Sequence, residues 1–277
     1  MNIKTSGIII KRMNYGEADR ILAILTSDHG KIKAIAKGSR KILSKLGGSL
    51  EPFCLVDFIF HEGKSFYIVT SAVVIKHFEK IHTDIDKTSK AFYIGELLDK
   101  FLEEKQNHPE VFELFAKCLE ELEKLESHPR PDRGSTNSLV DSAGVYPVGG
   151  NDKIESGNDI LISIFSAKIL ENLGFKPVTQ NCLHCQNKLL PEQNYWDDIE
   201  GGVICQSCHS KFGHGLPIEN DVIKILRLVF SPEFKIGSKI NINDKYKNQT
   251  AAVLENYIEG VLERELKSKK FMKEMSK

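Results

Sequence analysis

Four cysteines arranged as two Cys-x-x-Cys pairs constrain this 277-residue chain more than any other feature. Cys182 and Cys185 form the first pair, and Cys205 and Cys208 form the second. Zinc binds thiolates tetrahedrally, and a gap of two residues places both sulfurs of a pair on one turn of the chain. The connecting residues 186–204 lie within the spacing of about 15–20 residues that separates such pairs. The pattern therefore predicts one Zn²⁺ ion with four protein ligands.

Four thiolates leave a zinc ion no open coordination position, so we expect this ion to stabilise the fold and to perform no reaction. A redox Cys-x-x-Cys motif would need only one pair. His184 and His209 lie beside the cysteines, but the four thiols make them unnecessary as ligands. The remaining two cysteines, Cys54 and Cys118, stand in apolar sequence and are expected to be buried side chains.

The first 75 residues contain five short segments typical of β-strands, separated by turn sequences. Residues 31–36 alternate between an apolar face and a polar face with Lys31 and Lys33, which is the period of a half-buried strand. Five such antiparallel strands favour a small closed barrel of the OB-fold type, with an SH3-type barrel as the alternative. The predicted strands are 6–12, 20–27, 31–36, 53–60 and 65–72.

From about residue 77 the apolar residues recur at helical spacing. Asn107-His108-Pro109 predicts a break between two acidic helices, whose charged faces are expected to be solvated surface. Further helices are predicted at 158–173, about 219–229 and about 247–266, with Gly174 ending the first of them and a frayed basic tail at 267–277.

These patterns predict an α+β multidomain protein. An N-terminal five-stranded OB-fold barrel would occupy residues 1–76, and an all-α domain would occupy residues 77–277 and carry the four-cysteine zinc module at about 180–212. Residues 127–157 are poor in apolar side chains and show no period, so they predict a flexible linker or insertion.

The net charge of zero conceals an uneven distribution along the chain. Residues 1–50 carry ten basic and three acidic residues, a net charge of +7, whereas residues 91–126 carry −6. A positive strand face that continues into a positive loop can follow a phosphate backbone, which predicts nucleic-acid binding. Five aromatic residues are candidates for base stacking, although most are expected to fill the barrel: Phe53, Phe58, Phe60, Phe66 and Tyr67.

No sequence motif predicts catalysis. The chain contains no P-loop and no dinucleotide-binding glycine motif, and the adjacent carboxylates Asp197 and Asp198 are expected to be solvated loop residues. We therefore expect a protein that is not an enzyme. No segment reaches the ~20 apolar residues of a membrane span and no signal peptide is recognisable, so we expect a cytoplasmic, nucleoid-associated protein without membrane contact.

Several motifs in fixed order resemble those of the bacterial recombination mediator family RecO. They are Tyr15-Gly-Glu-Ala-Asp-Arg20, His29-Gly-Lys31, Lys37-Gly-Ser-Arg40 and Gly47-Gly-Ser-Leu-Glu-Pro-Phe53. Residues 165–177 look like the family's helix that leads into a cysteine module, which many members carry. The chain departs from the family in its neutral net charge, and in Leu46, where many relatives have Phe.

The resemblance implies an OB-fold followed by a helical domain with a zinc module. It implies a DNA repair and recombination mediator that binds single- and double-stranded DNA and anneals complementary strands. With a RecR-like partner, such a protein helps RecA to load onto gaps coated by single-strand binding protein. The family motifs and the charge pattern together nominate the DNA contacts Arg20, Lys31, Lys33, Lys37, Arg40, Lys41 and Lys45.

Two alternatives remain at the level of sequence. One is a protein-interaction scaffold whose basic barrel binds an acidic partner. The other is a zinc-dependent nucleic-acid enzyme, against which the closed set of four thiols argues.

Overall fold

The computed structural model of the protein describes residues 2–44, 46–126, 160–238 and 240–275. It confirms the predicted fold class, because a closed five-stranded barrel precedes a helical region. The linker predicted at 127–157 and the DNA-contact candidate Lys45 lie outside the described residues. The barrel strands are β1 (Asn2–Tyr15), β2 (Asp19–Thr26), β3 (Gly30–Ala36), β4 (Leu55–His61) and β5 (Tyr67–Lys76).

The barrel has the strand order β1-β2-β3-β5-β4, and β4 returns to β1 to close it. All neighbouring pairs are antiparallel except β3 and β5. The 14-residue β1 pairs with β4 through Asn2–Ile8 and with β2 through Gly7–Tyr15, and its register with β2 shifts between Ile9 and Lys11. Such a bulge bends and twists a strand. Ile9 belongs to the barrel core, whereas Ile8 and Ile10 are buried outside that cluster. The OB-fold is therefore confirmed.

The barrel interior is a continuous cluster of buried aliphatic and aromatic side chains. Its members are Ile9, Leu22, Ile24, Ile32, Ala34, Ala36, Leu50, Cys54, Val56, Phe58, Phe60 and Val69. The prediction of a buried Cys54 is thus confirmed, as is that of a buried Cys118 on a helix outside the barrel. Removing this much apolar surface from water is the main stabilisation of a domain of this size.

Three helices follow the barrel within the same compact unit, which comprises residues 1–124 and 264–277. They are α1 (Glu79–Thr83), α2 (Ile85–Phe101) and α3 (Pro109–Lys124). Pro109 begins α3, as predicted, because the first helical turn needs no N–H from it. Gly30, at the turn before β3, has φ +65°, and a Cβ there would lie 1.8 Å from the carbonyl oxygen of Gln106, so only glycine fits.

The second compact unit comprises residues 125–263 and holds the helices and the small sheet around the cysteines. The N–H of Phe175 bonds the carbonyl of Leu170 and Gly174 has φ +84°, so the predicted C-terminal stop of the first helix is confirmed. The elements are α4 (Ile160–Asn172), β6 (Asn194–Asp197), β7 (Gly202–Cys205), α5 (Gln206–Phe212), β8 (Leu216–Ile218), α6 (Asn220–Val229) and α7 (Asp244–Leu262).

The prediction of a frayed C-terminal tail is wrong. Glu263 takes the left-handed conformation with φ +51° and ends α7, and the chain then forms α8 (Lys267–Met275) in the first unit. The Glu96 carboxylate on α2 accepts hydrogen bonds from the backbone N–H groups of Lys267 and Ser268, and Met272 is buried. A carboxylate on free N–H groups stabilises a helix start, and that partner lies 171 residues away in sequence.

The change from strand to helix falls between Lys76 and Glu79, close to the predicted boundary after residue 76. The contacts nevertheless group α1, α2, α3 and α8 with the barrel. A division of the chain into domains 1–76 and 77–277 stays a prediction.

Candidate metal centre and nucleic-acid surface

The four cysteines of the two pairs lie together. Their Sγ atoms are all within 4.8 Å of one another, and those of Cys185 and Cys205 are 3.9 Å apart. Sulfurs around a tetrahedral zinc ion at about 2.3 Å are separated by about 3.8 Å. Both the separation and the purely thiol donor set therefore fit one thiophilic metal ion with Cys182, Cys185, Cys205 and Cys208 as ligands.

Local backbone structure positions the first cysteine pair on a tight knuckle. The N–H of Gln186 bonds the carbonyl of Cys182, and the N–H of Cys182 bonds the carbonyl of Asn187. Gln186 takes a left-handed conformation with φ +59°, which turns the chain back behind Cys185. Both sulfurs of the pair consequently point to one side of the turn.

The second cysteine pair lies where a strand passes into a helix. Cys205 ends β7, and Cys208 lies in the first turn of α5. Gly201, with φ +71°, lies in the turn between β6 and β7, and Gly213 ends α5 with φ +73°. The short strand and the short helix thus place the second two sulfurs one helical turn apart.

The environment of the sulfurs favours thiolate at one ligand and opposes it at another. Burial resists ionisation of Cys182, but hydrogen bonds from the N–H groups of Cys205, Cys185 and His184 lower the pKa of that thiol to about 6. Burial and the neighbouring sulfurs raise the pKa of Cys208 to about 12. Complete ionisation of the cluster needs a compensating positive charge, which a divalent metal supplies.

Side chains around the cysteines are held by aromatic and polar contacts. The Tyr195 ring stacks on His209 with centroids 3.4 Å apart, and Trp196 is fully buried with its Nε1–H donated to Asp198 at 2.6 Å. His184 lies beside His214, with their Nε2 atoms 3.2 Å apart. These residues support the module from outside the four sulfurs.

Asp197 stabilises the turn between β6 and β7. Its carboxylate accepts hydrogen bonds from the N–H groups of Ile199 and Glu200 at 2.8 and 2.9 Å, and His214 Nδ1 lies 2.8 Å away. Burial opposes ionisation of this carboxyl, but the hydrogen bonds lower its pKa. Asp197 therefore closes the β6–β7 turn and is not the solvated loop residue that was predicted.

The basic residues of the barrel separate into two groups, and the first is neutralised within the protein. Lys31 lies on the strand face opposite the barrel core, as the alternation predicts, but only 7% of it is exposed. Its Nζ donates to the backbone carbonyl of Asp99 at 2.5 Å and lies 3.5 Å from the Asp99 carboxylate. Lys11 also pairs with Asp99, at 2.8 Å, and Lys33 pairs with Glu104 at 2.5 Å.

These pairs correct the expectation that the acidic helix faces are merely solvated. Asp99 lies in the last turn of α2, and Glu104 lies just after its C-terminal end. Both neutralise lysines of β1 and β3. Glu123 on α3 accepts hydrogen bonds from the N–H groups of Lys80 and Ile81 at the start of α1. The acidic residues therefore hold helices to the barrel unit.

The second group of basic residues lies in what we name the basic loop, residues 37–44. Lys37, Arg40 and Lys41 are exposed, and none of them enters an ion pair within the described parts of the chain. The N–H of Arg40 bonds the carbonyl of Ala18, which ties the loop to the start of β2. Three cations are therefore presented together on a fixed loop of the barrel.

Two further arginines lie beside the basic loop. Burial and the neighbouring guanidinium of Arg12 lower the pKa of Arg20, whose Nε is buried without a hydrogen-bond partner among the described atoms. Arg12 was not nominated from sequence. In the structure it lies within β1 and pairs with Glu51 at 2.5 Å. Its proximity to Arg20 depends on the pairing of β1 with β2.

The aromatic candidates for base stacking separate into buried and partly exposed side chains. Phe53, Phe58 and Phe60 are buried, and the latter two stack on each other with centroids 5.0 Å apart inside the barrel. Phe66 and Tyr67 are partly exposed. The expectation that most of these rings fill the core is confirmed.

The fold and the site together define an OB-barrel protein with an exposed basic loop, a helical C-terminal part and a four-thiol centre. Residues 1–78 match the family described as "Recombination protein O N terminal", and residues 82–149 and 152–270 match "Recombination protein O C terminal". The chain belongs to this RecO family.

Curated relatives extend along the whole chain. The "DNA repair protein RecO" of Dehalococcoides mccartyi is 30% identical over 276 residues, which cover 100% of this chain and 97% of that protein. The protein of the same description from Bacillus pumilus is 30% identical over 275 residues, covering 99% and 95%. In the part of the chain that the structure describes, every helix is too short or too polar to cross a membrane.

Proposed function

We propose that this protein is a DNA repair and recombination mediator that binds single- and double-stranded DNA and anneals complementary strands. With a RecR-like partner, it would help RecA to load onto gaps coated by single-strand binding protein. The observation that carries the proposal is the basic loop on an OB barrel of this family, where Lys37, Arg40 and Lys41 are exposed and free of acidic partners among the described residues.

The proposed mechanism is electrostatic. Lysine and arginine side chains neutralise phosphates and release the counterions condensed on the DNA. Two strands that each lose part of their charge on one protein surface repel each other less, which favours their pairing. The DNA contacts would be Lys37, Arg40 and Lys41, with Arg20 beside them and Lys45 as a further candidate. Lys31 and Lys33 are left out because Asp99 and Glu104 already neutralise them.

We propose a structural Zn²⁺ ion for the four-cysteine centre, with Cys182, Cys185, Cys205 and Cys208 as its ligands. The fit of the four sulfurs to a tetrahedral thiolate site supports this choice. Since all four positions would be filled by protein, the metal has no position for a substrate, and we propose no enzymatic activity. Membership of a family of DNA repair proteins supports a place of action on DNA in the cytoplasm.

The test is fluorescence anisotropy of a labelled oligonucleotide titrated at several salt concentrations. We expect Lys37→Ala/Arg40→Ala/Lys41→Ala to weaken binding of all sequences alike and to reduce the steepness of log K against log salt by about 2 on single strands. The matched control is Lys188→Ala/Lys211→Ala/Lys235→Ala, which removes three exposed positive charges from the other unit.

Equal affinity and salt dependence in the basic-loop variant and the wild type would contradict the proposed site. Binding that does not strengthen with oligonucleotide length would instead favour a scaffold for an acidic protein partner. Annealing of complementary labelled strands, measured with the same variants, connects binding to the proposed activity.

A further inference from the structure

Two aliphatic side chains at the outer end of the basic loop are more exposed than any other large apolar side chains in the described parts of the protein. Ile42 is 101% exposed and Leu43 is 95% exposed. They follow Arg40 and Lys41 directly in sequence. We name Ile42 and Leu43 the apolar tip.

Hydrogen bonds within the loop hold the apolar tip outward. The N–H of Lys41 bonds the carbonyl of Gly38 at 3.0 Å, and the N–H of Ser44 bonds the carbonyl of Lys41 at 2.9 Å. On the far side of the tip, Leu46 packs against the barrel core. Two successive turns therefore project both side chains away from the barrel, and their exposure shows that neither is covered by the described residues of the protein.

The surroundings of the tip specify the chemistry of what covers it. A partner that offers negative charge to Lys37, Arg40 and Lys41 and an apolar surface to the adjacent Ile42 and Leu43 would match both groups. Single-stranded DNA offers both, because its phosphates alternate with base faces that are free to leave the stack. A duplex offers the phosphates, but its base faces are covered by their neighbours, and inserting an apolar wedge between them requires unstacking energy.

We infer that Ile42 and Leu43 contact unstacked bases of the single-stranded DNA that the basic loop holds by its phosphates. This inference rests on the DNA binding proposed above. The tip would hold bases apart from one another and leave their pairing edges open to a complementary strand. An anionic membrane is the competing occupant, and two aliphatic side chains bury too little apolar surface for stable membrane anchoring.

The test compares Ile42→Ser/Leu43→Ser with the wild type on a labelled single strand and on a duplex of the same sequence. We expect the dissociation constant for the single strand to rise about fivefold, as partial burial of two aliphatic side chains implies. The duplex affinity and the salt dependence should not change, since no charge is removed. Because both side chains are exposed, the melting temperature should stay that of the wild type.

Two controls isolate the contribution of the tip. Ile42→Val/Leu43→Met keeps its apolar character and should keep wild-type affinity. Leu190→Ser/Ile199→Ser removes two exposed apolar side chains from the other unit and should also bind like the wild type. A single strand carrying 2-aminopurine gives a direct readout, because wild-type protein at saturation should increase its fluorescence by unstacking it and the Ser/Ser tip variant should do so less.

The outcomes separate this inference from the proposed function. If the basic-loop charge variant binds DNA normally, both fail. If that variant is weakened while the Ser/Ser tip variant matches the wild type in affinity and 2-aminopurine fluorescence, only the inference fails. Equal weakening on single strand and duplex also overturns it, as does tip-dependent binding to phosphatidylglycerol-containing vesicles with unchanged DNA binding.

Discussion

The barrel and the cysteine module, residues 180–215, are stabilised in different ways. The barrel encloses a continuous apolar core that includes the stacked rings of Phe58 and Phe60. Around the sulfurs of the cysteine module, the buried cluster consists of Cys182, Cys208 and Ile204, with a few partly buried side chains against it. The barrel can therefore fold on apolar burial, whereas the module depends on what binds its sulfurs.

The largest effect should come from removing the proposed Zn²⁺ ion. Structural zinc contributes on the order of 10 kcal/mol to the folding of small zinc modules, so we expect chelation or Cys208→Ser to unfold residues 180–215 and to leave the barrel folded. Hydrogen exchange measures this directly, as lost amide protection in β6 and β7 with protection kept in β1 to β5. Cys118→Ala, at a buried cysteine outside the module, is the control and should retain the metal by native mass spectrometry.

Unchanged protection of β6 and β7 after the metal has been removed would contradict this comparison. It would mean that the packing of Trp196 and Tyr257, whose rings meet edge to face at 5.9 Å, suffices to hold the module.

A smaller effect should follow from breaking the buried ion pair on the barrel. Asp99→Asn leaves the Lys31 ammonium buried without its counter-charge, and we expect a loss of about 3 kcal/mol in the free energy of unfolding. Lys31→Met removes the buried charge itself and should be tolerated much better. Urea unfolding followed by circular dichroism measures both variants.

The exposed pair between Lys33 and Glu104 provides the matched control for Asp99→Asn. Both side chains are more than 40% exposed, so Glu104→Gln should change the free energy of unfolding by less than about 1 kcal/mol. Equal effects of Asp99→Asn and Glu104→Gln would show that burial of Lys31 has no energetic importance.

The same buried ion pair should make the stability of the barrel unit depend on acid. Burial opposes ionisation of Asp99, but Lys11 and Lys31 outweigh it and lower the pKa of this carboxyl in the folded protein. A group with a lowered folded pKa stabilises the fold above its unfolded pKa, and that stabilisation disappears as the pH falls through the folded value. The stability difference between the wild type and Asp99→Asn should therefore shrink below about pH 4. A difference that is constant with pH would contradict the charge-based explanation.

Much of the fold could be predicted because its signals are local. Alternation in residues 31–36, helical spacing after residue 77 and the glycine stop at Gly174 each depend on neighbouring residues. The C-terminal helix α8 could not be predicted in this way. Its start is held by Glu96, which is close only after α2 and the C-terminus have met in the first unit.

The cysteine centre and the basic surface show the same division. The spacing of two cysteine pairs determined by itself which four side chains meet, because short-range geometry fixes each pair and a metal site needs both. For the lysines, sequence determined only how many positive charges the barrel carries. Tertiary structure decided that Asp99 and Glu104 neutralise Lys11, Lys31 and Lys33 and that Lys37, Arg40 and Lys41 stay exposed. The physical reason is that an ion pair depends on distance in space, and those acidic residues reach the barrel only when α2 packs against it.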